Sequence, residues 1–564
     1  MKHRTRVWSL LGLLVVFATV AAACGKATPA PTKVIEEPTK APETEATTAP
    51  QEEPEEDEQA VLLEGASITY ATQQTTATLD PAIHVDETES LHVMNVYDPL
   101  MYPTKGGAPK PYLAESWEAS EDSLTYTFKL RKGVMFHDGT ELNAEDVAYS
   151  MDRMLSIGKG FSWLWQNVLD VGDTIAVDEY TVQFNLNEPY GPFMATLVQF
   201  FIVNKDLLVA NQQDGEYGEF GDYGQEFLNR QDAGSGPYYV SVYEPGTKTV
   251  FTAFEDYWGG WEAGQVTEAT FLIVSELATQ KLMLQSGEVD FIEQWHAVES
   301  FEELEASPGI VVEKDPNVQL FFLSMDNSKP PLDNPDVRRA ISYAFDYDTA
   351  VSVIFKDAAQ AMGSVPILLP GHNPDTLQYT RDPEKAQEYL TASGIDPGQY
   401  TLNYVYVSGL QSEERIGLLL QDNLRELGLE VVLQPEPWGR MVELVSSKET
   451  APSFMAIFHT AKYPSPDGHT YLMWHPNAWG TYMSASYYEN PTVSELLEKA
   501  RLSTSIDEQF DYYGQVQEIV ADDAAGLFIA NPLHRMAHRD RVSGYDFVGV
   551  LGYDLTWYQL RVTD

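Results

Sequence analysis

The sequence predicts a mixed α/β protein with several lobes. Strand-like and helix-like segments alternate after residue 62 without a fixed repeat, and strand patterns are concentrated near residues 120–140. Hydrophobic residues make up 43% of the 564 residues, which is enough to fill a sizeable core. At roughly 150 residues per domain, this length suits two or three domains.

Local patterns define the first predicted elements. Apolar residues alternate with polar ones at Leu124, Tyr126, Phe128 and Leu130. This period of two predicts a strand with one buried face, and Asp138-Gly139 predicts a turn after it. Asn143 can then cap a helix, because its side chain can accept a hydrogen bond from the first turn.

Three later segments carry helix signals. Asn334 followed by Pro335 marks a helix start, because proline is favoured at the first helical position. Amphipathic helices are also predicted at 382–394 and 412–428, and each ends at a glycine. The residues LEVVLQPEPW, directly after the last helix, predict a strand.

The charge excludes one class of partner. There are 35 basic and 85 acidic side chains, so the formal net charge is −50. Such a surface repels phosphate backbones, and we therefore expect no nucleic-acid binding.

The N-terminus predicts export. Basic residues precede an apolar run at 7–23, as in a secretory signal sequence, although an uncleaved anchor helix is the alternative. Residues Ala21 to Cys24 resemble the lipobox of bacterial lipoproteins, with Ala21 where leucine is commoner. The resemblance implies cleavage after residue 23 and a lipid on Cys24, the only cysteine in the chain. Residues 24–62 are rich in Pro, Thr and Glu and contain no aromatic residue, which predicts a disordered stalk.

Motifs for catalysis and for metal binding are missing. No Gly-x-Ser-x-Gly elbow, Walker A loop or dinucleotide-binding glycine motif occurs. His534 and His538 are four residues apart, but the segment is strand-like, which does not favour a metal site. His137 next to Asp138 lies beside a turn, where a structural role is expected. We expect no enzyme activity, no cofactor and no bound metal.

Some aromatic residues are candidates for a solute pocket. The chain has 11 Trp, 31 Tyr and 24 Phe, and most are expected in the core. Trp163 and Trp165 lie in an apolar cluster, whereas four other tryptophans lie in polar, loop-like segments and are better candidates. These are Trp295, Trp438, Trp474 and Trp479.

Longer motifs identify a family resemblance. Residues 113–154, LAESWEASEDSLTYTFKLRKGVMFHDGTELNAEDVAYSMDRM, resemble the signature region of family 5 extracellular solute-binding proteins. These are the dipeptide, oligopeptide and nickel receptors of ABC importers. Further landmarks follow in the family's order, among them TLDPA, GSGPYYV, LQSGEVDF and NSKPPLDNPDVRRAISYAFD. The resemblance runs from about residue 66 to the C-terminus.

The resemblance implies the fold of the folded part of the chain. It is the two-lobed periplasmic-binding-protein-like fold (cluster C, type II), with an extra domain inserted in the first lobe. The chain would cross between lobes near 316–328 and 535–542. The expected parts are lobe I (63–104 with 201–316 and 540–564), the inserted subdomain (105–200) and lobe II (317–539).

The resemblance also implies the function. Such a protein captures a solute by hinge closure and delivers it to an ABC permease and ATPase. We expect a monomer outside the cytoplasm, held on the cell membrane by its lipid. A sensory or adhesive lipoprotein of the same fold, and a secreted hydrolase, are the alternatives.

The solute is less defined, and peptides are the class that the family implies. In peptide-binding members an aspartate in the segment matching FHTAKYPSPDG pairs with the peptide's α-ammonium, and Lys462 stands at that position. A lysine would repel an ammonium and attract a carboxylate or another anion. The alternative is that Lys462 points to solvent and that an acidic residue elsewhere pairs with the ammonium. Tyr463 and Asp467 are further binding candidates, and an oligosaccharide or a nickel chelate bound through His459 or His469 stays possible.

Overall fold

The structure is a computed structural model that describes residues 66–76, 78–105 and 107–563. The predicted signal sequence, stalk and Cys24 lie outside these residues. Within them, none of the helices has the length and apolar character needed to cross a membrane.

The strands are β1 (Ser67–Thr72), β2 (Met101–Thr104), β3 (Gly107–Pro111), β4 (Ala114–Ala119), β5 (Thr125–Leu130), β6 (Thr174–Asp178), β7 (Thr181–Asn185), β8 (Tyr238–Glu244), β9 (Lys248–Ala253), β10 (Glu268–Ile273), β11 (Phe291–Ile292), β12 (Ile310–Asp315), β13 (Gln319–Met325), β14 (Ala359–Gln360), β15 (Thr401–Val407), β16 (Glu430–Glu436), β17 (Phe454–Thr460), β18 (Gly526–Asn531), β19 (His534–Arg539), β20 (Val542–Ser543) and β21 (Arg561–Val562).

The α-helices are α1 (Glu87–Val96), α2 (Ala144–Ile157), α3 (Phe193–Thr196), α4 (Lys205–Asn211), α5 (Gln225–Leu228), α6 (Leu277–Ser286), α7 (Val298–Glu305), α8 (Pro335–Ala344), α9 (Tyr347–Thr349), α10 (Pro383–Ser393), α11 (Gln411–Glu426), α12 (Trp438–Leu444), α13 (Asp467–Trp474), α14 (Pro491–Leu502) and α15 (Ile506–Asp522).

Two mixed sheets form the centres of two lobes. The first-lobe sheet has the order β12-β19-β11-β1-β10-β9-β8, with β1 parallel to both β10 and β11. The second-lobe sheet has the order β14-β18-β13-β17-β15-β16, with β15 parallel to β16 and β17. All residues of β13 are buried, because helices or loops cover both faces of this central strand.

The chain crosses between the lobes at 316–318, between β12 and β13, and at 532–533, between β18 and β19. The second crossing precedes the predicted one. β19 pairs with β11 and β12, so 534–539 belong to the first-lobe sheet and the predicted boundary of lobe II at 539 is too late. His534 and His538 lie on a strand, as their pattern predicts.

A third sheet lies within the predicted insertion, with the order β4-β5-β7-β6. It shares one continuous hydrophobic core with the first lobe, so the insertion has no separate interior. Arg153 of α2 reaches back to the start of the lobe, where its guanidinium donates two hydrogen bonds to Asp80, at 2.7 and 2.6 Å. Both side chains are buried, so this ion pair fixes α2 against the TLDPA segment.

The capping signals act as predicted. Asn143 and Asp146 form a reciprocal capping box at α2, and Asn334 Oδ1 accepts from Asp336 N at 2.9 Å at the start of α8. Gly139 has φ +85°, the left-handed conformation that its turn requires. The predicted helices at 382–394 and 412–428 correspond to α10 and α11, and the strand after them is β16.

Candidate functional site

A cavity lies between the two lobes, with about 630 Å³ of space that no protein atom occupies, part of it open to solvent. It lies where strands of both lobes end. In the first lobe these are the carboxyl ends of the parallel strands β1 and β11, and in the second lobe those of the parallel strands β15 and β17. In α/β proteins the carboxyl ends of parallel strands are the usual place for a ligand.

Both lobes contribute walls. The first-lobe wall contains Gln74, Asp86, Glu87, Thr88, Trp295 and Leu551. The second-lobe wall contains Val407, Leu410, Glu413, Trp438, Ala456, Ile457, Phe458, Thr460, Lys462 and Tyr482. The cavity is therefore lined by three of the residues that were predicted to bind solute, namely Trp295, Trp438 and Lys462.

Two aromatic pairs line the cavity. Trp295 follows β11 and packs against Phe458 of β17, with ring centroids 5.2 Å apart. Trp438 is the first residue of α12 and meets Tyr482 edge to face at 5.0 Å. Their faces and edges offer apolar surface for packing on a solute.

Lys462 lies two residues after β17 and is only 2% exposed, so the alternative that it points to solvent is wrong. Its Nζ donates to Thr460 O at 2.9 Å and lies 5.6 Å from the centroid of the Tyr482 ring. Burial lowers the pKa of Lys462 to about 7, against a smaller opposite effect of the Glu87 carboxylate. The ammonium is therefore held in the cavity with little hydration.

The acidic residues of the cavity were not predicted from the sequence. Asp86 caps α1, where its Oδ1 accepts from Glu89 N at 3.0 Å, and Glu87 begins that helix and accepts from Gln294 Nε2. Burial raises the pKa of Glu87, and the neighbouring Asp554 adds to this.

Glu413 lies on the second-lobe wall near the start of α11. Its carboxyl group is buried and accepts from Val407 N at 2.7 Å, and burial raises its pKa to about 8. Glu413 is therefore mostly uncharged at pH 7 and does not offset the charge of Lys462.

Asp467 and Tyr463 do not line this cavity. Asp467 is fully buried and accepts from Arg501 Nε at 2.9 Å and Nη2 at 2.7 Å, from Tyr513 Oη at 2.9 Å and from Tyr463 Oη at 2.6 Å. These hydrogen bonds occupy both carboxylate oxygens. The prediction that these two residues bind solute is replaced by a structural role, because Arg501 of α14 supplies the partner that the sequence does not reveal.

The other candidates also lie outside the lining. Trp474 is buried in the second-lobe core, and Trp479 packs under Lys448 Nζ at 3.7 Å. His459 and His469 are stacked 4.3 Å apart in the interior, and burial lowers the pKa of both. Across 66–76, 78–105 and 107–563, no group of three or more metal-ligating side chains was found.

Direct contacts between the lobes close the cleft around the cavity. Leu551 N donates to Ala461 O at 2.8 Å. Two ion pairs link the lobes at the surface, Arg415 with Glu299 at 2.9 Å and Lys356 with Glu302 at 2.7 Å. The two lobes are thus in contact both beside the cavity and at the surface.

Comparisons with known proteins agree with this architecture. The family model "Bacterial extracellular solute-binding proteins, family 5 Middle" matches residues 108–481. The probable D,D-dipeptide-binding periplasmic protein DdpA of Escherichia coli K12 is 30% identical over 484 residues, which are 83% of this chain and 89% of the relative. The dipeptide-binding protein of the same organism is 27% identical and covers 77% and 83%.

A solved structure shows the same fold. The periplasmic binding protein DppA of Helicobacter pylori, in complex with the peptide STSA, superimposes with a TM-score of 0.78 at 26% identity. The match covers 88% of this chain and 98% of the other.

Proposed function

Because the chain belongs to the family 5 bacterial extracellular solute-binding proteins, we propose that it captures a small solute in the cavity between its lobes and delivers it to the permease of an ABC importer. The observation that carries this proposal is the cavity itself. Its walls come from both lobes, at the carboxyl ends of the parallel strand pairs of each sheet.

Capture works through hinge closure. The chain crosses between the lobes at 316–318 and 532–533, and contacts such as the ion pair Arg415–Glu299 and the hydrogen bond from Leu551 N to Ala461 O break when the cleft opens. A solute that contacts both walls binds the closed form better than the open form and therefore shifts the equilibrium towards closure. No bond in the solute changes, so the chain acts as a receptor and not as an enzyme.

The site of action is the outer side of the cytoplasmic membrane. A lipid on Cys24 and the stalk predicted from the composition of 24–62 would hold the receptor near its permease and raise its effective concentration there. The periplasmic relatives support an extracytoplasmic location.

The solute is of the peptide class, as the dipeptide-binding relatives suggest, but its amino terminus is not held at the position of Lys462. A buried lysine in the wall repels an α-ammonium and attracts an anionic group. A ligand anchored only by an ammonium at this wall is therefore disfavoured.

The proposal is tested by recovering the solute. The full chain is purified without added ligand and denatured, and the released small molecules are identified by mass spectrometry. We expect close to one solute per chain, recovered unchanged after long incubation with the native protein. Conversion of the solute to a product, or the lack of any bound or bindable solute, would contradict the proposal.

A further inference from the structure

The inserted subdomain contacts the second lobe at a place outside the cavity. The loop after β7 carries Gly191, whose N–H donates to Arg501 O near the end of α14, at 2.7 Å. The preceding Tyr190 is buried, and the Arg501 guanidinium lies 5.5 Å from the centroid of its ring. Neither Gly191 nor Arg501 lines the cavity between the lobes. We call the pairing of Gly191 with Arg501 the clamp contact.

The clamp contact leaves no room for a side chain at residue 191. A Cβ atom there would lie 2.3 Å from Ser503 O and 2.3 Å from Gln509 Nε2, whereas Cβ atoms in proteins keep at least 3.0 Å from such neighbours. Gln509 is held in place, because it is 4% exposed and its Nε2 donates to Ser503 O at 2.9 Å. Gly191 does not adopt a left-handed φ, so its own backbone accepts an alanine. The requirement for glycine therefore comes from the second lobe.

The same subdomain contacts the second lobe again beside the cavity. Gln199 is fully buried, and its Nε2 donates to Lys462 O at 2.7 Å. Lys462 is part of the cavity wall. The inserted subdomain thus contacts the second lobe both at the cavity wall and at the clamp contact.

Buried side chains link these two places within the second lobe. The Arg501 guanidinium donates to Asp467 Oδ2 at 2.7 Å, and Tyr463 Oη donates to the same oxygen at 2.6 Å. Tyr463 directly follows Lys462 in the chain. The residue that receives Gly191 is therefore held rigidly against the segment that forms the cavity wall.

We propose that the inserted subdomain acts as a closure clamp, in which Gly191 docks on Arg501 and stabilises the closed form by the same amount for every solute. This inference rests on the proposed function and adds a residue that sets its affinity from outside the cavity. The subdomain shares one hydrophobic core with the first lobe, so it moves with that lobe and leaves the second lobe when the cleft opens. Contacts in the cavity then decide which solute is held, and the clamp contact raises the affinity for all of them.

The test compares binding by the full chain and by its Gly191→Ala variant after removal of bound solute. Two probes are used in dilution series: the small-molecule extract released from the denatured unaltered chain, and a tryptic digest of casein. Mass spectrometry measures the amount of each bound species. We expect Gly191→Ala to reach half-saturation at concentrations at least about 10-fold higher, by the same factor for every species, because the methyl group opposes closure and the hydrogen bond to Arg501 is lost.

Gly398, in the turn before β15, provides the matched control. Its φ also lies outside the left-handed region, and the nearest neighbour of an added Cβ is Asp396 Oδ1 at an ordinary 3.6 Å. Gly398→Ala should therefore bind every species like the unaltered chain. Gly191→Ala should keep the urea midpoint of the unaltered, solute-free chain, because its methyl group meets the second lobe only when the cleft is closed.

Spin labels follow the clamp contact itself. Glu118→Cys on β4 and Glu495→Cys on α14 change exposed residues of the inserted subdomain and of the second lobe, and Cys24→Ser removes the native thiol. Double electron–electron resonance should show one short distance for the otherwise unaltered chain with saturating extract. At the same extract concentration, Gly191→Ala should retain a longer or broader component.

Equal half-saturation concentrations for Gly191→Ala and the unaltered chain would overturn the inference, as would a distance between the two labels that is the same with and without extract. A loss of affinity that differs between species, or that accompanies a lower urea midpoint, would also overturn it, because the alanine would then act on the cavity or on the fold of the first lobe. The proposed function stands in each of these cases if the unaltered chain binds a species from either probe. If it binds none, the proposed function itself fails.

Discussion

Replacing Lys462 by methionine should stabilise the solute-free chain, by an amount that shrinks as the pH rises. Methionine is of similar length and does not need hydration, whereas the lysine ammonium is buried without a counter-ion. A pKa that falls from 10.5 to about 7 on folding corresponds to about 5 kcal/mol of lost stability.

The sign follows from the two protonation states. Below pH 7 the lysine is protonated in both the folded and the unfolded chain, so the folded chain bears the full cost. Between pH 7 and 10.5 only the unfolded chain keeps the proton, so the cost falls as the pH rises. The expected difference in free energy of unfolding between Lys462→Met and the unaltered chain is about 5 kcal/mol at pH 6 and about 2 kcal/mol at pH 9.

Urea denaturation at pH 6 and pH 9, followed by far-UV circular dichroism, measures both values. Bound solute must be removed first, because it stabilises the folded chain. The stability difference between the variant and the unaltered chain should change by about 3 kcal/mol between the two pH values. This change is the critical quantity, because the effect of packing differences between lysine and methionine is the same at both pH values and cancels. Lys110→Met serves as the exposed control. A stability difference that is the same at both pH values would show that folding does not lower the pKa of Lys462.

Three further predictions concern other parts of the chain. Asp467→Asn should lower the free energy of unfolding, measured by urea denaturation, by about 3–5 kcal/mol, because it leaves Arg501 buried without its partner. Loss of solute binding at unchanged stability would instead make Asp467 a ligand contact. Trp438→Ala should weaken calorimetric binding of the recovered solute by about 10-fold, and equal affinity would remove Trp438 from the site. Cys24→Ser should move the protein from the membrane fraction to the soluble fraction at unchanged solute affinity; a variant that stays on the membrane would show that 7–23 is an uncleaved anchor.

Local signals in the sequence predicted much of the fold. The caps at Asn143 and Asn334 and the alternation in β5 depend on neighbouring residues, so they can be read directly. The crossing at 532–533 could not be placed as well, because the pairing of β19 with β11 and β12 joins segments more than 200 residues apart. Such contacts leave no local pattern.

The residues of the site could be predicted from the sequence only where a local pattern or a family motif singled them out. Trp295 and Trp438 stood out as aromatic residues in polar loops, and Lys462 through its position in a family motif. Glu87 and Glu413 were hidden, because in a chain with 85 acidic residues no single one stands out. Asp467 was misassigned because Arg501, its partner, lies 34 residues further along the chain.

Closure around a solute can be measured as a change in the distance between the lobes. In a Cys24→Ser background, Glu244→Cys on β8 and Glu430→Cys on β16 place spin labels on exposed edges of the two lobes. Double electron–electron resonance then measures their separation with and without the recovered solute. We expect a broad distribution or a longer distance without solute, and a single shorter distance with it. An identical distance distribution with and without saturating solute would contradict closure around the solute.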